Sequence, residues 1–114
     1  MSLSTHVLDA ALGNPARDVH VVLSRFGTDG WTRCAEGRTD ADGRLRPADD
    51  GGHEVNLERG TYRLDFGTGE YFTATNQVGF YPEVSVTFEV TDPAAHHHVP
   101  LLLSPFAYST YRGS

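Results

Sequence analysis

The chain has 114 residues, room for one hydrophobic core rather than two. Its nine basic residues are all arginine and face fifteen acidic ones, for a net charge of -6, which argues against a phosphate-backbone partner such as nucleic acid. No apolar stretch approaches the roughly 20 residues of a membrane span, and Met-Ser-Leu-Ser-Thr-His at the start lacks the basic run and apolar core of a secretion signal.

Residues 3–9 give a weak strand pattern, closed by the turn signal Gly13-Asn14-Pro15. Val19, Val21 and Leu23 alternate with polar or outward positions and predict a strand. Thr28-Asp29-Gly30 predicts a hairpin loop leading into a further strand at 31–38. A tight turn follows at Asp40-Ala41-Asp42-Gly43, and a longer polar loop around Asp49-Asp50-Gly51-Gly52. Tyr62, Leu64 and Phe66 alternate with Thr61, Arg63 and Asp65. Residues 70–78 form the one helical stretch. Val84, Val86, Phe88 and Val90 alternate with Glu83, Ser85, Thr87 and Glu89, a half-buried strand with one wet face. Two more strands are predicted at 97–103 and 106–111, split by Ser104-Pro105. Seven to eight strands with one short helix predict an all-β fold, an antiparallel β-sandwich in a single domain over 1–114. Pro100 lies inside a predicted strand and needs an edge, a bulge or an unpaired position there.

The lone cysteine, Cys34, cannot form an intrachain disulfide, which suits a reducing compartment. Cytoplasm is the expected location. With no base beside it, Cys34 reads as a buried structural thiol. Trp31, Phe26, Tyr71 and Phe72 read as core or helix-packing residues.

The candidate chemistry lies at both ends of the chain. His96 and His98 are two apart and share a face of a strand. If the first strand pairs with 97–103, His6 and His98 can meet, and two imidazoles near neutral pKa can divide proton removal and donation. Each histidine taken alone reads more simply as a surface or satisfied core residue. His96-His97-His98 also suggests a metal cluster, but neighbours on a strand diverge and no Cys pair or His-Glu-x-x-His completes a zinc set, so no metal is expected. Arg44 follows an Asp-Gly turn that can hold its planar fork against carbonyl oxygens of a flat ligand. Taken alone it reads as a solvated loop arginine, and the tail Ser109 to Ser114 as a frayed end.

Four ordered pieces of this sequence resemble the 5-hydroxyisourate hydrolases, the enzyme branch of the transthyretin-like proteins. They are Leu3-Ser4-Thr5-His6-Val7-Leu8-Asp9 with the Gly13 to Ala16 step; Thr39-Asp40-x-Asp42-Gly43-Arg44; Phe80-Tyr81-Pro82-Glu83; and His96-x-His98-Val99-Pro100-Leu101-Leu102-Leu103-Ser104-Pro105 leading to Tyr108-Ser109-Thr110-Tyr111-Arg112-Gly113-Ser114. The final Tyr-Arg-Gly-Ser separates the hydrolases from the hormone carriers. The resemblance runs nearly end to end and departs at His97, where the family usually has an aromatic; His97 is expected to face away from His98.

The resemblance implies a transthyretin-like sandwich of two four-stranded sheets, a short helix after the fifth strand, and a homotetramer built as a dimer of dimers with sites at the dimer–dimer face. It implies cofactor-free hydrolysis of a small-molecule substrate, 5-hydroxyisourate, in urate breakdown. His6, Arg44, His98 and Ser114 would be catalytic, and His6, Arg44 and Tyr111 would bind substrate, with either histidine as the base. The alternative implied by the fold is a carrier of small aromatic ligands.

Overall fold

A computed structural model describes residues 2–114. Nine strands and one helix follow in chain order: β1 (Leu3–Asp9), β2 (Asn14–Pro15), β3 (His20–Gly27), β4 (Gly30–Arg38), β5 (Arg44–Leu45), β6 (Gly60–Phe66), α1 (Thr68–Ala74), β7 (Val84–Val90), β8 (His97–Ser104) and β9 (Ala107–Thr110). Seven of the strands run four residues or longer, which matches the predicted number. They form two sheets, one ordered β2-β1-β8-β9 with β5 also on β1, the other β4-β3-β6-β7. The expected all-β sandwich is present, with five strands in the first sheet rather than four. Every ladder is antiparallel except β1–β8, which is parallel.

The core lies between the sheets. Val7, Val21, Leu23, Leu64, Phe66, Leu101 and Leu103 are fully buried there, each contributing about 1.5–3 kcal/mol relative to exposure. Tyr71 and Phe72 bring the inner face of α1 onto this core. The Tyr71 hydroxyl donates to Asp9 Oδ2 at 2.6 Å, and the Ala11 and Leu12 amides donate to Asp9 Oδ1. Burial works to raise the Asp9 carboxyl, but these bonds and one from Gln77 outweigh it and hold its pKa below the usual value. Among the described residues no helix is long and apolar enough to cross a membrane.

Three expectations shift in detail. The helix begins and ends earlier than 70–78, because Asn76 takes a left-handed φ of 56° and stops the chain from continuing helically. Trp31 and Phe26 are not core. The β3–β4 register passes from Leu23↔Ala35 to Ser24↔Arg33, so Cys34 is the extra residue of a bulge. That bulge turns Trp31 and Arg33 to the outer face, where the Arg63 guanidinium stacks 4.4 Å from the Trp31 ring and Phe26 packs edge-on. Cys34 itself is half-buried, with burial pushing its thiol pKa up.

In a strand with neighbours on both sides, Pro100 pairs with His6 of β1 and is the unpaired position toward β9. The β8–β9 ladder ends at Leu101↔Thr110 and pairing resumes at a lone bridge, His98↔Gly113. His98 turns its carbonyl to the Gly113 amide. By strand alternation Pro100 faces the same side, where it offers only a carbonyl, taken by the Thr110 hydroxyl at 2.7 Å.

Candidate active site

The site grows from period-two alternation on β1 and β8. Leu3, Thr5, Val7 and Asp9 point inward, which leaves Ser4, His6 and Leu8 on the outer face. On β8 His97, Val99, Leu101 and Leu103 point inward, and His98, Pro100 and Leu102 make the outer row. The parallel register sets Ser4 beside His98 and His6 beside Pro100. His6 and His98 are therefore diagonal neighbours on one face, and the direct partner of His98 is Ser4.

Arg44 reaches this face through a turn that its own sequence builds. Asp40 Oδ1 accepts the amides of Asp42 at 2.8 Å and Arg44 at 3.0 Å, and Gly43 donates back to the Asp40 carbonyl. Gly43 sits at φ +75°, where a Cβ would lie 2.4 Å from the Val7 carbonyl oxygen, so only glycine fits. The turn then pairs Arg44 directly with His6 across β5–β1. It also aims the Asp42 carbonyl at His6, whose Nε2–H donates to it at 2.8 Å. A carbonyl only accepts, so this bond fixes the His6 tautomer and leaves Nδ1 free.

The tail closes the other side. Gly113 bridges to His98, and a Cβ at Gly113 would fall 2.3 Å from His98 Cδ2. Tyr111 stands 58% exposed beside this contact, and Ser114 follows at the exposed end.

His98 is the most constrained group. Its Nδ1 lies 2.8 Å from Ser4 Oγ, which is also 2.8 Å from His96 Nε2. His96 Nδ1 lies 2.6 Å from Ser2 Oγ. Burial pushes the His98 pKa below the ordinary histidine value, and Arg44, His96 and His6 push it the same way, partly offset by a hydrogen bond to the Ser4 main chain. The ring is held neutral at neutral pH with Nε2 unengaged by the protein. Asp40 is pulled below the usual carboxylate range, chiefly by the Arg44 amide bond, and remains an anion under the turn.

The structure thus brings His6, Arg44 and His98 together on one face, but two separate clefts divide the predicted residues, and neither is lined by His6 or Ser114. His98 and Tyr111 line a cleft of about 330 Å³ with Val86, Phe88 and Arg112. Arg44 and Ser4 line another of about 430 Å³ with Asp40 and Arg46. His97 faces away from His98, as expected. It is 5% exposed, its Nδ1 lacks a well-formed hydrogen bond, and burial and Arg112 push its pKa down. Of the three consecutive histidines, only His96 and His98 meet, through Ser4. Sequence reasoning missed Ser4 and the Asp42 carbonyl. The signal for Ser4 was present, because it lies two residues from His6 and so shares its face.

The sequence model of the HIUase/transthyretin family matches residues 3–113. A 5-hydroxyisourate hydrolase of Salmonella typhimurium is 45% identical over 112 residues, covering 98% of this chain and 80% of the relative. The solved 5-hydroxyisourate hydrolase of Klebsiella pneumoniae superposes with a TM-score of 0.84 at 35% identity, covering all of both chains. Sea bream transthyretin, solved in complex with thyroxine, superposes with a TM-score of 0.86 at 34% identity, covering 99% of this chain and 95% of that one. The backbone alone is equally like an enzyme and a carrier. The side chains on the outer face of β1, β5 and β8 have to separate the two.

Proposed function

The chain belongs to the HIUase/transthyretin family, and from that premise we propose that it hydrolyses 5-hydroxyisourate, opening the six-membered ring at an acyl carbon. The observation that carries this reading is the polar face itself. Arg44 is paired with His6, and His98 lies one diagonal step away. A carrier for apolar aromatics would line its channel with hydrophobic groups there.

The mechanism follows from the free nitrogens. Water attacks the acyl carbon, and His98 Nε2 takes its proton. His98 suits this role because its surroundings keep it neutral. Arg44 grips the planar ring oxygens and stabilises the oxyanion as it forms, a donor worth roughly 3–4 kcal/mol at the transition state. The C–N bond then breaks. The proton that His98 Nε2 took from water passes to the leaving nitrogen, which returns His98 to its starting state, while His6, anchored at Nε2 by Asp42, offers Nδ1 as an acceptor that orients the water or a ring N–H of the substrate. Tyr111 and Ser114 close the pocket over substrate. No cofactor enters these steps.

We also propose a single hydrolase domain over 1–114 that assembles as a cytoplasmic homotetramer. The exposed edge strand β9 and the edge strand β7 offer unpaired backbone for extending both sheets into a second copy. The separation of Arg44 and Tyr111 between two clefts supports a pocket completed when two dimers meet face to face.

The test is direct. Freshly generated 5-hydroxyisourate decays slowly by itself, and its ultraviolet absorbance should vanish much faster with the protein present. Tight binding of an iodinated aromatic with no acceleration of that decay would replace the hydrolase by the carrier.

A further inference from the structure

We propose that Ser4 and His96 form a proton relay behind His98, so that a proton gained at His98 Nε2 is matched by one released to solvent near Ser2. The inference rests on the hydrolase reading for its catalytic consequence, but the relay is a property of the fold. Three contacts define it: His98 Nδ1 to Ser4 Oγ at 2.8 Å, Ser4 Oγ to His96 Nε2 at 2.8 Å, and His96 Nδ1 to Ser2 Oγ at 2.6 Å.

Donor arithmetic allows two states in which every bond of the chain points the same way. A serine hydroxyl has one hydrogen, and a neutral imidazole has one N–H. If His98 carries its hydrogen on Nδ1, that N–H donates to Ser4, Ser4 donates to His96 Nε2, and His96 Nδ1–H donates to Ser2. If His98 carries it on Nε2, every bond reverses. Passage from the first state to the second adds one proton at His98 Nε2 and expels one from the Ser2 hydroxyl. No link is left without a donor, and no ring becomes charged.

The surroundings of His98 make this useful. Arg44 from β5, His6 from β1 and His96 before β8 all act on it. An imidazolium there would meet one fixed cation at Arg44 and two rings able to become cations. The relay lets His98 act as a base without carrying that charge. The outer end is suitably wet, since His96 is exposed while Ser4 is half-buried. Ser4 and His96 are positioning residues, because neither touches the reacting atoms.

The measurement is kcat for 5-hydroxyisourate in mixtures of light and heavy water, with Ser4→Ala, Ser4→Thr and His96→Ala beside the parent. Several protons in flight bow the parent's plot of rate against deuterium fraction. Ser4→Ala should be slower by about tenfold or more with a straight plot, His96→Ala should straighten it too, and Ser4→Thr, which keeps the hydroxyl, should restore speed and curvature. A Ser4→Ala enzyme that is slower yet keeps the parent's bowed plot would reduce Ser4 to packing and overturn the relay, as would one with unchanged kcat. Nitrogen-15 shifts of the His98 ring give a readout free of substrate: the protonated nitrogen should change between parent and Ser4→Ala, and identical shifts would again overturn the proposal. A parent without turnover would sink the hydrolase reading alone and leave the relay to this second measurement.

Discussion

Gly113 lies flat against His98. Its amide donates to the His98 carbonyl at 2.9 Å, and there is no room for a methyl group between its Cα and the imidazole. Gly113→Ala should therefore displace the ring by the few tenths of an ångström to an ångström that ruin a proton transfer. The expected result is a loss of about a hundredfold in kcat for 5-hydroxyisourate, with circular dichroism unchanged. Parent-level turnover would show that the tail does not position His98.

Replacement of the principal groups should be more direct. His98→Asn and Arg44→Gln should each slow ring opening by about a hundredfold or more while the thermal transition stays near the parent's. Both side chains stand on the outer face of their sheet rather than in the core. Variants that turn over substrate at the parent rate would remove these residues from the mechanism.

The acid limb of kcat/KM should reflect His98 in the free enzyme. Its pKa is lowered, so the neutral base persists below the ordinary histidine value of about 6.5. Activity should hold through pH 6.5 and fall only at lower pH. A limb centred above that value would assign the base elsewhere.

His97 should matter for stability rather than chemistry. Its folded pKa is depressed, so between that value and about 6.5 the unfolded chain binds the proton and the folded chain does not. Stability is then lost as pH falls below about 6.5, and the loss levels off once the folded pKa is passed. His97→Phe removes this dependence and a buried Nδ1 without a well-formed hydrogen bond, whose contact with the Ala95 main chain does not offset its burial. Urea denaturation at pH 7 and pH 5 should show the variant more stable at both, with a smaller difference between them.

Much of the site was legible from alternation. Counting by two from His6 and His98 places both on the outer face, and the Asp-Gly turn announces that Arg44 is held rather than loose. Period two states which face a side chain takes, however, and not which strand lies next to it. The parallel pairing of β1 with β8 decides that Ser4, and not His6, touches His98, and pairing is set by contacts distant in sequence. Trp31 was misread for a related reason. A bulge at Cys34 reverses the alternation within β4, and nothing in Thr32-Arg33-Cys34 signals it. The helix end was misplaced because Asn76 reads as tolerable in a helix, yet here it takes the left-handed turn that ends one.

Pro100 has an effect on how the tail is fastened. Because it presents no amide, the stretch from Tyr111 to Ser114 is tied to β8 by one backbone hydrogen bond among the described residues, at Gly113, while β9 keeps its own ladder up to Thr110. The last four residues thus leave the ladder after Thr110 and return to β8 at a single point. The contact that sets the flank of His98 therefore depends on one bond outside any ladder, while the sheet beneath it is held by its own.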